Sequence, residues 1–286
     1  MTEKLDHISF SSLKNYIRCP KLFEAEKILK INPFFGNEHT ILGSGVHASF
    51  EYYFKNHKKH NGTVYKILQD VSRDEIDTEK LRLAEKGLVL ESELVEKAKK
   101  MSDNIIKNSL PRLVTFMGPR AKILNTELEI KYPLSEFFDT DLTFELHIDL
   151  VSQRLPSEIV LWDYKTSKGL WKIDKKIDLE QVTSQLLLYK YFYSKKFSVD
   201  PKILRTFYVI LSKIPPYALD CWESTYTIRQ LNTMMEHIGN CVKAIKNNDF
   251  PCTEKYNGCV DFVGYGGKKF YCKHFDELSS RCKLNN

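Results

Sequence analysis

Between Leu142 and Leu150 the chain alternates without error. Leu142, Phe144, Leu146, Ile148 and Leu150 are apolar, while Thr143, Glu145, His147 and Asp149 between them are polar. Side chains on a strand point alternately to opposite faces, so this period of two specifies a strand with one face buried and Asp149 on the other. A second strand is expected over 159–165, after a turn containing Pro156, and it ends Asp163-Tyr164-Lys165. Residues two apart on a strand share a face, so Asp163 and Lys165 point together and Tyr164 points away. An amphipathic helix follows over 179–192, with Gln185 and Tyr189 one turn apart, and then a strand over 203–211.

Two carboxylates and a lysine at adjacent strand ends suit metal-dependent phosphodiester chemistry. Two close carboxylates repel unless a cation bridges them, their oxygens suit a hard divalent cation, and a lysine orients water or stabilises charge on phosphate. Taken alone, Asp-x-Lys is a common tripeptide and more often describes an ordinary surface ion pair at a strand end.

The rest of the chain gives these strands helical company. A helix is expected over 11–30, capped by Ser11 or Ser12 and with Leu13, Tyr16, Ile17 and Phe23 on its apolar side. A second is expected over 43–54. From about Thr78 to Ser109, Lys and Glu alternate around leucines at helical spacing, which predicts one long surface helix or a helical pair inserted at about 56–120. A strand over 123–132, a last helix over 227–246 and a Cys-containing tail at about 248–286 complete the order. Helices first, then β-β-β-α-β, indicate one domain with a mixed α/β sheet flanked by helices.

Composition restricts the function classes. The 286 residues suffice for a full core, and no apolar run reaches the roughly 20 residues that a membrane helix needs. The opening MTEKLDHISF lacks a signal-peptide core, so a cytoplasmic protein with no membrane partner is expected. The net charge of +6 favours a polyanionic partner only weakly. Seven cysteines in a reducing compartment point to metal ligation rather than disulfides wherever they cluster.

Taken in order, these motifs resemble the RecB-type branch of the PD-(D/E)XK nuclease superfamily. A strand ending in Asp149 precedes a strand ending Asp163-Tyr164-Lys165-Thr166, and Gln185 and Tyr189 follow on a helix. Upstream, Gly43-Ser44-Gly45-Val46-His47 is similar to the family's histidine helix, with Glu51 a turn later. Ser11-Ser12 through Cys19-Pro20 and Phe23 is similar to its opening signature. The family often has Gly three positions before the first Asp, where this chain has Leu146.

The resemblance implies a restriction-endonuclease-like αβββαβ core and a Mg2+- or Mn2+-dependent DNA nuclease, an exonuclease by preference. The alternatives are a DNA-binding or assembly subunit with a vestigial site, and a nuclease acting on RNA or in defence. DNA ends or single strands are the implied substrate, and recombination, replication or defence proteins the implied partners. His47, Asp149, Asp163 and the Tyr164 backbone carbonyl would hold the metal, with Glu51 and Glu127 left open. Lys165 would act on water and phosphate, Gln185 would position Lys165 or the phosphate, and Tyr189 would contact the substrate backbone.

The resemblance also implies a 4Fe-4S cluster on Cys19, Cys252, Cys259 and Cys272. Four thiolates suit zinc as well, and Cys282 is an alternative to Cys252. Cys221 and Cys241 read as plain buried residues. In the loop after Lys165, Lys168, Trp171 and Lys172 are candidate nucleic-acid contacts, a solvated loop being the other reading.

Overall fold

The computed structural model describes residues 5–30, 36–56, 62–170, 176–251, 262–263 and 269–270. In chain order the elements are β1 (His7–Ser9), α1 (Phe10–Arg18), α2 (Pro20–Phe23) running into a π-helical turn (Glu24–Ile28), α3 (Glu38–Asn56), α4 (Gly62–Glu85), α5 (Ser92–Met117), β2 (Lys122–Pro133), β3 (Thr143–Leu155), β4 (Glu158–Ser167), α6 (Lys176–Phe197), β5 (Leu204–Ser212), β6 (Leu219–Glu223), α7 (Ile228–Asn247), β7 (Phe262–Val263) and β8 (Lys269–Phe270). They group into two compact units, a smaller one of Met1–Phe34, Lys131–Leu146 and Ile228–Asn286, and a larger one of Phe35–Ile130 and His147–Thr227. No described helix is long and apolar enough to cross a membrane.

In the smaller unit β1 pairs in parallel with Thr143–Glu145, and α1 packs against α7. Phe23 anchors the contact, with its ring 5.9 Å from both Tyr16 and Phe250. The expected single helix over 11–30 is interrupted. Ser9, not Ser11 or Ser12, caps α1 by accepting from the Ser12 N–H, and the Ser12 hydroxyl accepts from the Ser9 N–H in return. Cys19 then goes extended (φ −160°, ψ 108°) because it precedes Pro20, whose ring disfavours a helical neighbour.

The larger unit carries the mixed sheet. β4 is antiparallel to β3 and parallel to β5, and β5 is antiparallel to β6. The parity of β4 and β5 divides their residues between two layers. Val160, Trp162, Tyr164, Phe207, Val209 and Leu211 join the core formed with α3, α4 and α5. On these strands Asp163, Lys165 and Tyr208 have the opposite parity, and α6 packs on the same pair of strands. Trp162 is fully buried, and its indole N–H donates to Ser152 Oγ at 2.9 Å, so the ring brings no unsatisfied polar group into the core. The α6 helix is less amphipathic than its sequence suggested: Leu186, Leu187, Leu188 and Tyr189 are buried in succession.

The Lys/Glu-rich stretch from Thr78 to Ser109 is a helical pair rather than one long helix. Its charged residues are exposed or half-buried, while Leu83, Leu90, Val95, Ile105 and Ile106 join the core that includes β4 and β5. Small residues let α3 and α4 approach closely. Ser49 donates to the Leu68 carbonyl at 2.9 Å, and a Cβ added at Gly45 would lie 2.7 Å from Ile76 Cγ1 and 2.9 Å from the Ser72 carbonyl oxygen. Gly45→Ala gains about 1 kcal/mol of helix propensity, but the backbone contact cannot yield as a side chain would. Overpacking costs about 1–3 kcal/mol, so we expect a net loss of stability and a lower Tm by thermal denaturation. A variant melting at or above the parent would contradict this packing.

Candidate active site

His47 lies in the middle of α3, which begins at Glu38 rather than at the glycines, because Asn37 Oδ1 accepts from the His39 and Thr40 N–H groups and starts the helix earlier. Its imidazole reaches two adjacent strands, which do not end at Asp149 and Lys165 as expected but run on to Leu155 and Ser167. Nδ1 is 3.5 Å from Asp149 Oδ1, and Nε2 is 3.1 Å from the Tyr164 carbonyl oxygen. The Tyr164 ring meets Phe50 edge-on at 5.2 Å and His47 at 5.6 Å.

Asp149 is 7% exposed, and its Oδ2 accepts from the Tyr164 N–H at 2.5 Å. Asp163 is 1% exposed. Its Oδ2 pairs with Lys165 Nζ, and its Oδ1 accepts from Gln185 Nε2 at 3.0 Å. The Tyr189 hydroxyl lies 3.1 Å from the same Oδ1, accepts from Gln185 Nε2 at 2.7 Å and reaches the His147 carbonyl. It has one proton for two acceptors, so Asp163 and that carbonyl share it. Gln185 and Tyr189 therefore stand behind Asp163, and Tyr189 is only 3% exposed. The Lys165 side chain, at 36%, is the more accessible member of the ion pair.

A residue whose role the sequence left open completes the cluster. Glu127, on β2, adopts φ +46°, an uncommon conformation for a residue with a side chain. The ligating atoms of His47, Glu127 and Asp149 lie within 4.8 Å of one another. No motif in the sequence marked Glu127, because its position depends on this backbone excursion inside a strand. Glu51, by contrast, is taken up in an ion pair with Lys55.

The charges are strongly coupled. Burial alone would lower the His47 pKa, but the charge and hydrogen bond of Asp149 outweigh it and raise it to about 9. Burial, reinforced by the charge of Asp149, raises Glu127 to about 7. Burial also raises Asp163, to about 6, with Lys165 opposing and Asp149 adding to the shift. Asp149 is held low despite its burial, by His47 and Lys165 together with the Tyr164 N–H.

One imidazole nitrogen and two carboxylates make a donor set suited to Mn2+ or Mg2+, with a borderline nitrogen and hard oxygens. Below pH 7, protons on His47 and Glu127 offset the negative charge gathered at this cluster. The residues thus fit a divalent cation. Asp163 and the Tyr164 carbonyl, also expected as ligands, are close by but are engaged by Lys165 and Gln185 and by His47, respectively.

Lys168 is exposed after β4, whereas Trp171 and Lys172 lie outside the described residues. Cys19 is a half-buried thiol at the α1–α2 junction, and Cys252, Cys259, Cys272 and Cys282 also lie outside the described residues. Burial raises the Cys221 and Cys241 thiols to about 12, so both stay protonated.

The family model of the PD-(D/E)XK nuclease superfamily matches residues 7–265. Among solved structures, a candidate exonuclease from Eubacterium rectale has a TM-score of 0.53 at 14% identity, with 89% of this chain and 87% of that chain covered. A second structure, SSO0001, gives 0.35 at 13% identity over 85% and 78% of the two chains, a likeness too low to carry an argument. No curated protein matches the chain significantly. With the match extending over nearly all of the sequence, and with the sheet and its carboxylates placed as described, this chain belongs to the PD-(D/E)XK nuclease superfamily.

Proposed function

We propose that this nuclease hydrolyses phosphodiester bonds of DNA with Mg2+ or Mn2+, and that it works from DNA ends as an exonuclease. The observation that carries the reading is the meeting, across the adjacent strands β3 and β4, of the Asp163–Lys165 pair with the donor set of His47, Glu127 and Asp149. These three residues would hold the cation, with Asp163 and the Tyr164 carbonyl as further donors beside them. A bound divalent cation supplies Lewis acidity, lowering the pKa of water and neutralising phosphate charge.

The chain's own groups do the rest. Lys165 carries a fixed positive charge at the accessible edge of the site, where it can donate to a phosphate oxygen and orient the attacking water. Asp163 keeps the ammonium in place, and Gln185 and Tyr189 keep Asp163 in place. Lys168, exposed three residues after Lys165, would contact a neighbouring phosphate. The exonuclease preference draws support from the description of the Eubacterium rectale protein.

The test compares linear and circular DNA, single-stranded DNA and RNA, with and without EDTA. Linear DNA should be degraded only with Mg2+ or Mn2+ present, with circular duplex spared. Cleavage that persists in EDTA, or that prefers RNA or circles, would overturn the respective part of the reading. The four-cysteine site belongs to the same reading, and iron and zinc analysis of the purified protein decides it.

A further inference from the structure

Asp163, Tyr208 and Trp222 form one row across β4, β5 and β6, since Asp163 registers with Tyr208 and Tyr208 with Trp222. Residues directly opposite on paired strands share a face. Trp222 stacks on Tyr208 with a 9° interplanar angle at 6.2 Å. Tyr208 is 1% exposed, and two of its parts reach the site in different ways. Its ring lies under Lys165, with Nζ 5.7 Å from the centroid, within the range of a cation–π contact. Its hydroxyl donates to Gln185 Oε1 at 3.3 Å.

The second contact sets a direction. A glutamine side chain presents a donor on one side and an acceptor on the other. With Oε1 accepting from Tyr208, Nε2 faces Asp163 Oδ1 and the Tyr189 hydroxyl, at 3.0 and 2.7 Å. Turned over, the amide would set its oxygen against the Asp163 carboxylate. Asp163 is thus aligned on one oxygen by an amide that Tyr208 orients, while its other oxygen pairs with the ammonium that the Tyr208 ring supports.

We propose that Tyr208 is a positioning residue for the nuclease reaction, acting on Lys165 through its ring and on Asp163 through Gln185. This rests on the reading under Proposed function. Tyr208→Phe keeps the ring and removes the hydroxyl, whereas Tyr208→Leu removes both. In Tyr208→Phe we expect kcat to fall about 3- to 10-fold, the factor one hydrogen bond represents, with KM within about twofold of wild type. In a Gln185→Ala background the same change should have no further effect, because the hydroxyl then has nothing to orient.

Acetic anhydride labelling of the metal-free protein, read at Lys165 by mass spectrometry, isolates the ring. Labelling should be about threefold faster in Tyr208→Leu and unchanged in Tyr208→Phe. Wild-type kcat in Tyr208→Phe, an undiminished drop in the Gln185→Ala background, or wild-type labelling in Tyr208→Leu would each overturn the proposal. Should Tyr208→Leu fail to fold, Tyr208→Phe and the double-mutant cycle decide alone. A wild-type protein without divalent-dependent cleavage sinks the nuclease reading, while faster labelling in Tyr208→Leu would still support the ring contact.

Discussion

Lys165→Ala should lose about 10²- to 10⁴-fold in the rate of DNA cleavage, the range of a positioned proton-transfer or charge-stabilising group. Much of this loss should appear in single-turnover rates and little in DNA affinity, since one lysine is a small part of any phosphate track. The variant has a second effect inside the protein. Lys165 is the main influence lowering the Asp163 pKa against burial and the charge of Asp149. With it gone, the carboxyl moves further up and holds its proton nearer neutral pH. Lys165→Arg should rescue poorly, because the guanidinium is a planar fork where the site has a point charge over the Tyr208 ring. Cleavage by Lys165→Ala within about threefold of wild type would rule out this role for the lysine.

Binding of Mn2+ should tighten steeply as pH rises and should release protons. The signs follow from the ligands. His47 titrates at about 9 and Glu127 at about 7, and a cation must displace whatever protons they carry. Below pH 7 both are protonated, between 7 and 9 only His47 is, and above 9 neither is. Apparent affinity should therefore climb about 10-fold per pH unit from 7 to 8.5, and up to about 100-fold per unit below 7. Below pH 7, losing one proton from each residue and gaining a doubly charged ion leaves the net charge of the cluster unchanged, so the exchange there adds no buried charge. Calorimetry in two buffers of different ionisation enthalpy counts the protons, and Glu127→Gln should flatten the limb below pH 7. Affinity that is flat from pH 6 to 8.5 would exclude these ligands.

Most of this geometry could be read from spacing. Parity on β4 separates Asp163 and Lys165 from Tyr164, and one helical turn joins Gln185 to Tyr189. Both are local rules that hold whatever the tertiary fold. Other features depend on contacts that sequence periodicity does not carry. Glu127 reaches the site through a left-handed residue within a strand. β1 has three residues and exists through its pairing with Thr143–Glu145. The break at Cys19 was signalled by Pro20, but apolar spacing continues past it to Phe23 and masked the signal. The inner faces of α4 and α5 looked like surface because charged residues outnumber the few aliphatic ones that pack inward.

The close seating of α3 on α4 has a consequence for chemistry as well as for folding. Gly45 and His47 are two residues apart on one helix, about 3 Å along its axis. A helix moves nearly as a rod, so whatever displaces it at Gly45 also displaces the imidazole. The Ser72 backbone that rejects a side chain at position 45 thereby acts as a gauge block, setting how far His47 stands from Asp149. Errors in a helix–helix spacing of no chemical character would then register as errors in metal affinity.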